Sequence, residues 1–308
     1  EDLNMNKQLK HTLLLLLAAG IWGVAFVAQS VGMDYVGCFT FTAIRNFIGA
    51  LVLVPVILFT DKKGTKEAVQ EEQKSKKTLI KGGILCGFFL FIASNLQQFG
   101  IAYTTIGKAG FLTAMYIILV PLFGIFCNRR VGKRVWISVA IAVCGLYLLC
   151  MSGGSISIQM GDLFELGCAI AFAVQILTID HFAPKVNCIK LSCIEFATCG
   201  ILSAIGMMIL ETPSMADILA AWIPILYAGA LSTGVAYTLQ IVGQKGLNPA
   251  LASLIMSLES VISLIAGWLI LNQKLSQREL LGCAVMFAAI ILVQLPEKQK
   301  YEIITSEK

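Results

Sequence analysis

The residues of this chain that could do chemistry are ionisable side chains inside long apolar segments. Glu259 lies about midway along one such segment, while Arg45 and Glu195 lie inside two others. Ionisable groups at membrane depth bind a solute or ion, carry protons, or pair with another helix. We interpret Glu259 as a candidate proton carrier or partner of a cationic group, with a structural hydrogen bond as the alternative. Arg45 could hold a carboxylate bidentately, but we interpret Arg45 and Glu195 as structural charges.

Polar and aromatic side chains also recur at helical spacing inside the apolar segments. Thr233, Tyr237, Gln240 and Gln244 follow one another at intervals of four, three and four residues, so they share one face of a helix. A single polar residue of this kind is compatible with simple contact between helices. Because such stripes recur on several segments, we predict a cavity whose binding residues are Trp22, Asn95, Gln98, Tyr116, Gln175, Tyr237 and Gln240.

Motifs for catalysis, metal binding and nucleotide binding are missing from the sequence. His11 and His181 both lie near the ends of apolar segments, and no Gly-x-Ser-x-Gly stretch occurs. The ten Cys residues form no Cys-x-x-Cys pair, and no Gly-x-x-x-x-Gly-Lys-Ser/Thr loop exists. We therefore predict that the protein is not an enzyme and uses no metal or cofactor.

The apolar segments predict an all-α polytopic membrane protein. Hydrophobic residues make up 57% of the chain and charged residues 13%. A bilayer core about 30 Å thick needs ~20 mostly apolar residues to be crossed by a helix, whose backbone groups bond internally. Ten segments meet this requirement: Thr12–Val31, Gly37–Phe59, Leu79–Ala102, Ile106–Phe126, Val135–Met151, Asp162–Asp180, Ile189–Leu210, Leu219–Gly243, Pro249–Leu271 and Leu280–Leu295.

The basic residues predict the orientation of these ten segments. Nineteen of the 23 Lys and Arg residues lie at the termini or after segments 2, 4, 6 and 8, and the opposite side holds Lys108, Lys274 and Arg278. Basic residues near span ends stay cytoplasmic. We predict a multi-pass protein of the cytoplasmic (plasma) membrane with both termini inside. The net charge of +5 then reflects orientation in the lipid bilayer and not a nucleic-acid partner.

A weak internal repeat divides the chain. Shifting the sequence by 144 residues places Asn128 on Asn272 and Arg134 on Arg278, so one charged turn recurs in both halves. Because five helices are an odd number, the second half has the opposite orientation, and inverted repeats are common in secondary transporters. We predict two inverted five-helix repeats, at 1–151 and 161–295, with a cytoplasmic loop at about 61–77 and a cytoplasmic tail at 296–308.

Several motifs resemble the EamA-type members of the drug/metabolite transporter superfamily. They are Trp22-Gly23, Arg45, Gly161-Asp162-Leu163 and the Ser/Leu-rich stretch 253–261, which contains Glu259. Two positions differ from the family pattern: Ser260 replaces a usual Pro, and Asn272-Gln273 replaces a usual Gly-Glu. The resemblance implies a central cavity lined by helices 1, 3, 4, 6, 8 and 9, with helices 2 and 7 at the periphery.

Together, these features predict a secondary active transporter that exports a small organic metabolite, such as an amino acid, by alternating access. Only the resemblance favours export over uptake. An ion gradient, for example of protons, or the gradient of the substrate itself must drive flux, since no ATP-binding motif is present. A membrane sensor or scaffold is one alternative, and an intramembrane enzyme is another. The sequence carries no signature of an oligomer.

Overall fold

The computed structural model describes residues 2–62, 66–104, 106–126, 131–150, 159–271 and 276–294, and all regular secondary structure in these ranges is helical. A 3₁₀ turn at Ala183–Lys185 and a π-helical segment at Tyr227–Tyr237 accompany fourteen α-helices. These are α1 Asp2–Gly32, α2 Cys38–Lys62, α3 Lys66–Tyr103, α4 Ile106–Thr113, α5 Tyr116–Phe126, α6 Lys133–Cys150, α7 Met160–Phe182, α8 Cys188–Leu210, α9 Met215–Ala220, α10 Trp222–Leu226, α11 Thr238–Gln244, α12 Pro249–Met256, α13 Glu259–Leu271 and α14 Gln277–Gln294.

Eight helical stretches in the described ranges are long and apolar enough to cross a membrane. They match segments 1 to 4 and 6 to 9 of the ten that the sequence predicts. Segments 5 and 10 correspond to α6 and α14, which pack against each other and have 18 residues each. The chain is thus an all-α, multi-pass membrane protein, while the tenfold count and the position of the termini stay predictions.

The segment predicted as a cytoplasmic loop at about 61–77 is helical over most of its length. Helix α2 continues to Lys62 and α3 begins at Lys66, so the charged segment is helical from Lys66 onward. Its Lys, Glu, Gln and Ala residues have high helix propensity, which here prevails over the absence of an apolar period. The turn residues 128 and 272, on which the predicted repeat was aligned, lie outside the described residues.

Helices α2 and α8 pack against each other, and polar contacts join them at both ends. At one end, the Glu211 carboxylate after α8 accepts hydrogen bonds from the backbone N–H groups of Phe39 (2.9 Å) and Thr40 (2.8 Å) in the first turn of α2. These donors have no partner inside their own helix. At the other end, Lys190 Nζ lies 2.8 Å from Asp61 Oδ1.

Glycines allow α3 to approach α8 closely. A Cβ added at Gly87 would lie 2.6 Å from the Glu195 carbonyl oxygen, and one at Gly83 would lie 2.5 Å from Ile194 Cγ2. Residues four apart lie on the same helix face, and small residues at this spacing let backbones meet in membranes. The Gly83–Gly87 pair therefore packs α3 against α8.

Two of the membrane-length helical stretches are interrupted near their middle. The stretch that matches sequence segment 4 breaks between α4 and α5 at Ala114–Met115. The stretch that matches sequence segment 9 breaks between α12 and α13 at Ser257–Leu258. At both breaks the backbone tightens to bonds between residues i and i−3, as in Met115 N–H to the Leu112 oxygen (3.1 Å) and Leu258 N–H to the Ile255 oxygen (3.2 Å). The 144-residue shift superposes the two breaks to within about one residue.

The ninth segment breaks although it carries Ser260 in place of Pro. The hydroxyl of Ser257 donates to the Leu254 carbonyl (2.7 Å), and Ser260 donates to the Gly110 carbonyl of α4 (2.9 Å). Serine side chains that bond backbone carbonyls compete with the helical ladder and bend helices. Serines with such bonds therefore accompany the interruption of the ninth segment.

Candidate functional site

A central cavity lies where α1, α2, α3, α5, α7, the π-helical segment, α11, α12 and α13 meet. Both halves of the chain contribute to the lining. The lining residues are Trp22, Phe26, Gln29, Arg45, Gln97, Tyr116, Phe172, Ile176, Ser232, Tyr237, Gln240, Met256 and Glu259.

Glu259 and Tyr116 join the two interrupted segments inside the cavity. The Tyr116 hydroxyl, at the first residue of α5, donates to Glu259 Oε1, at the first residue of α13, over 3.0 Å. Both side chains are about 95% buried. Each break therefore supplies one member of a buried hydrogen bond that lies directly on the cavity.

A second buried carboxyl group flanks the same break in the fourth segment. Glu165 of α7 is fully buried, and its Oε2 accepts a 2.6 Å hydrogen bond from the hydroxyl of Thr113, the last residue of α4. Glu165 does not line the cavity. The residues before and after the break thus hold two different buried carboxyl groups.

Aromatic rings form the apolar wall of the cavity. The rings of Trp22 and Tyr237 meet edge to face with centroids 4.7 Å apart, and Tyr116 lies 6.5 Å from Phe172. Trp22 Nε1 donates to the backbone oxygen of Ser232 in the π-helical segment, over 3.3 Å. Aromatic pairs in this geometry contribute about 0.5–1.5 kcal/mol beyond their buried area.

Arg45 brings a positive charge from α2 into the cavity lining. The side chain is 2% exposed and packs over the Phe41 ring. Its Nη1 donates to Gln29 Oε1 over 3.1 Å, whereas Nε and Nη2 have no partner among the described residues. Among the described residues, the partner of the guanidinium is thus a neutral amide.

Amide groups connect the cavity with Glu195 of α8. Gln240 donates to Gln175 Oε1 over 3.3 Å, and Gln175 donates to Glu195 Oε1 over 2.8 Å. Only Gln240 of these three lines the cavity. Glu195 is thus held by a hydrogen bond from a neighbouring helix.

The structure brings most of the predicted site residues to the cavity, but three of them lie behind the wall, that is, behind the lining residues. Trp22, Tyr116, Tyr237, Gln240 and Glu259 line the cavity. The other three contact neighbouring helices or the wall: Asn95 donates to Ser203 of α8 (3.0 Å), Gln98 donates to the Gln29 backbone oxygen (3.2 Å), and Gln175 supports Gln240.

The polar stripe predicted on the eighth segment is split by the π-helical segment. Thr233 faces α2, where its Cγ2 would lie 2.5 Å from a Cβ added at Gly49, whereas Ser232 and Tyr237 line the cavity. Hydrogen bonds from residue i to i+5 change the number of residues per turn. Counting at α-helical spacing therefore assigns Thr233 to the wrong face.

Sequence reasoning missed Gln97, Arg45 as a lining residue, and Glu165. Gln97 lines the cavity in place of its neighbour Gln98, a rotation of the helix face that spacing alone does not determine. Glu165 follows Asp162 by three residues inside an apolar segment. An acidic residue inside a predicted span was the signal that could have found it.

Comparisons with known proteins give a consistent result. The sequence model described as the EamA-like transporter family matches residues 9–151 and again residues 159–295. An uncharacterized transporter of Archaeoglobus fulgidus is 28% identical over 290 residues, covering 94% of this chain and 87% of its own length. The uncharacterized transporter YoaV of Bacillus subtilis is 25% identical over 280 residues, covering 88% and 92%. One crystal structure superposes with a TM-score of 0.75 at 18% identity, covering 92% of this chain and 96% of the other.

Proposed function

Since this chain belongs to the EamA-like transporter family, we propose that it is a secondary active transporter of a small organic metabolite, such as an amino acid. It works in the cytoplasmic membrane with both termini inside and exports its substrate. The names of the two relatives identify them as transporters and name no substrate. The substrate class therefore rests on the chemistry of the cavity.

The observation that carries this proposal is a membrane-embedded cavity whose walls come from both halves of the chain. Trp22 and Arg45 come from the first half, and Tyr237 and Glu259 come from the second. Aromatic faces suit an apolar side group of a solute, while amides and charged groups suit its polar end.

Alternating access follows if the halves are two inverted five-helix repeats at 1–151 and 161–295. Inverted repeats can exchange conformations and so open one central site to either side of the membrane. The interruptions at Ala114–Met115 and Ser257–Leu258 support this reading, because they occur at corresponding places in the two halves. Interrupted helices next to a binding site are a recurring feature of such transporters.

Exchange measured in proteoliposomes tests the proposal. Vesicles containing the purified full chain are loaded with one unlabelled amino acid and then exposed outside to the same amino acid carrying a radioactive label. We expect uptake of label above that of protein-free vesicles for at least one of the twenty amino acids. Absence of exchange for all twenty, with correctly folded protein, would contradict an amino-acid transporter.

A cavity-filling variant supplies the control for specificity. Ser232 is 2% exposed and lines the cavity, so Ser232→Phe places a ring where the substrate is proposed to bind. We expect this variant to lose exchange while remaining folded. Ser203→Ala, which removes a buried hydroxyl behind the wall, serves as the matched variant and retains exchange.

A further inference from the structure

The Arg45 guanidinium in the cavity lining has an incomplete set of hydrogen bonds. Its five N–H donors are fixed in one plane, and within the described residues only Nη1 has a partner, the Gln29 amide oxygen at 3.1 Å. Nε and Nη2 are both buried and have none. Leaving charged donors buried without partners is costly, so a negatively charged partner would stabilise this site strongly.

The two nitrogen atoms without partners form one edge of the guanidinium. Nε–H and the neighbouring Nη2–H point in parallel, which is the arrangement that binds both oxygen atoms of one carboxylate. The third corner of the group, Nη1, is held by Gln29, and the flat face lies over Phe41. These contacts fix the orientation of the guanidinium while leaving its carboxylate-binding edge unused.

The charges around the cavity favour a substrate with one negative and one positive end. Among the lining residues, Arg45 supplies a guanidinium group and Glu259 supplies a carboxyl group. They face the cavity from different elements, α2 and α13. A solute that carries a carboxylate and an amine can therefore satisfy Arg45 with one end and meet Glu259 with the other.

Resting on the proposed function, we propose that Arg45 is the residue that selects substrates with a free carboxylate, through a bidentate contact of Nε–H and Nη2–H. The aromatic wall of Trp22, Tyr116 and Tyr237 then receives the apolar part of the solute. Gln29 acts as a positioning residue, since its amide oxygen holds the guanidinium without neutralising it.

Matched ligand pairs test this assignment directly. The probes are L-phenylalanine, L-leucine, L-methionine and L-threonine, each compared with its own carboxamide. Binding is followed by the fluorescence of Trp22, a cavity residue, in a full-length variant whose other three Trp residues are replaced by Phe. We expect at least one amino acid to bind, with its carboxamide at least tenfold weaker, because the carboxamide cannot form the charged pair.

Two variants then link the preference to Arg45. In Arg45→Gln the affinity for the amino acid falls at least tenfold, while the affinity for the carboxamide changes little. Gln29→Glu places a carboxylate beside Nη1 and competes with the substrate from within the protein, so it also weakens amino-acid binding at least tenfold. Asn46→Ala alters the buried neighbour of Arg45 that does not line the cavity, and it binds like the parent.

Several results would overturn the assignment. One is equal affinity for amino acids and their carboxamides. Another is unchanged amino-acid affinity in Gln29→Glu, and this second test remains valid even if Arg45→Gln does not fold. Absence of binding by all four amino acids also counts against it. If proteoliposomes instead exchange uncharged solutes through the same cavity, the transporter function stands and the role of Arg45 fails.

Discussion

At the scale of single residues, the cavity combines two opposite charges with an aromatic wall. Arg45 reaches the lining from α2, and Glu259 reaches it from the interruption of the ninth segment. Glu259 is held by the Tyr116 hydroxyl, which gives it a neutral partner instead of a basic one. A carboxyl group at membrane depth that lacks a basic partner, as Glu259 does within the described part of the chain, is suited to exchange a proton during transport.

Replacing Glu259 by Gln tests proton coupling. The change keeps the shape and one oxygen acceptor for Tyr116 but removes the ability to ionise. We expect pH-driven accumulation in proteoliposomes to be lost while exchange at equal concentrations is retained. The matched variant Glu165→Gln alters a buried carboxyl group outside the lining. Full accumulation by Glu259→Gln would rule this residue out as the coupling group.

Substitutions of lining residues and of residues behind the lining are expected to change substrate affinity differently. Tyr237→Ala and Gln240→Ala each remove a lining side chain, and we expect substrate affinity to fall about tenfold, as the loss of an aromatic contact or a hydrogen bond implies. Asn95→Ala, which alters the contact with Ser203, leaves affinity near that of the parent. Binding titrations measure substrate affinity in the three variants. A larger loss of affinity in Asn95→Ala than in the other two would contradict the proposed lining and indicate a binding site closer to α8.

At the scale of elements, the sequence was sufficient for the helices but not for their interruptions. Apolar length predicts a membrane helix because lipid requires internal backbone bonding, and the helices of the described ranges lie close to the predicted segments. The break at Ala114–Met115 and the π-helical segment leave the apolar pattern unchanged. They arise from changes in backbone hydrogen bonding that depend on neighbouring helices, so hydropathy and spacing do not reveal them.

Site residues were likewise predictable where residue type alone indicates a cavity, and not where the packing of neighbouring helices decides which residue faces it. Trp22, Tyr116 and Glu259 were identifiable because polar or aromatic groups at membrane depth are expected near a cavity. Gln97 and Gln98 both fit that rule, and only the rotation of α3 decides that Gln97 lines the cavity. Arg45 was assigned to the periphery with its helix, whereas a long side chain can reach the lining from an outer helix.

Gly87→Ala tests the packing between α3 and α8, and Gly20→Ala in α1 is a control with the opposite expected effect. Gly87→Ala places a Cβ 2.6 Å from the Glu195 backbone oxygen, which must move, so we expect destabilisation of about 1–3 kcal/mol. Gly20→Ala meets nothing within 4 Å and gains about 1 kcal/mol of helix propensity. Melting temperatures of the purified variants check both signs. Equal melting of Gly87→Ala and the parent would contradict the close approach of α3 and α8.

At the scale of the whole molecule, the family places the chain among membrane transporters, and its orientation can be measured. A Cys introduced at Ser157 in a Cys-free background is expected to react with an impermeant thiol reagent from outside the cell. A Cys at Gln70 reacts only after permeabilisation, because the basic residues around it stay cytoplasmic. Position 157 lies outside the described residues. Labelling of both positions from outside would contradict the ten-span arrangement.

In the proposed mechanism, one cavity opens alternately to the two sides of the membrane. Ser232→Cys, in a Cys-free protein that retains exchange, places a small thiol in the cavity lining with little change in volume. Asn95→Cys, behind the wall, is the control that stays unreactive. We expect Ser232→Cys to react with an impermeant reagent both in intact cells and in inside-out vesicles, and to react more slowly when the transported amino acid is present. Reaction from one side only under every condition, without protection by any amino acid, would contradict alternating access through this cavity.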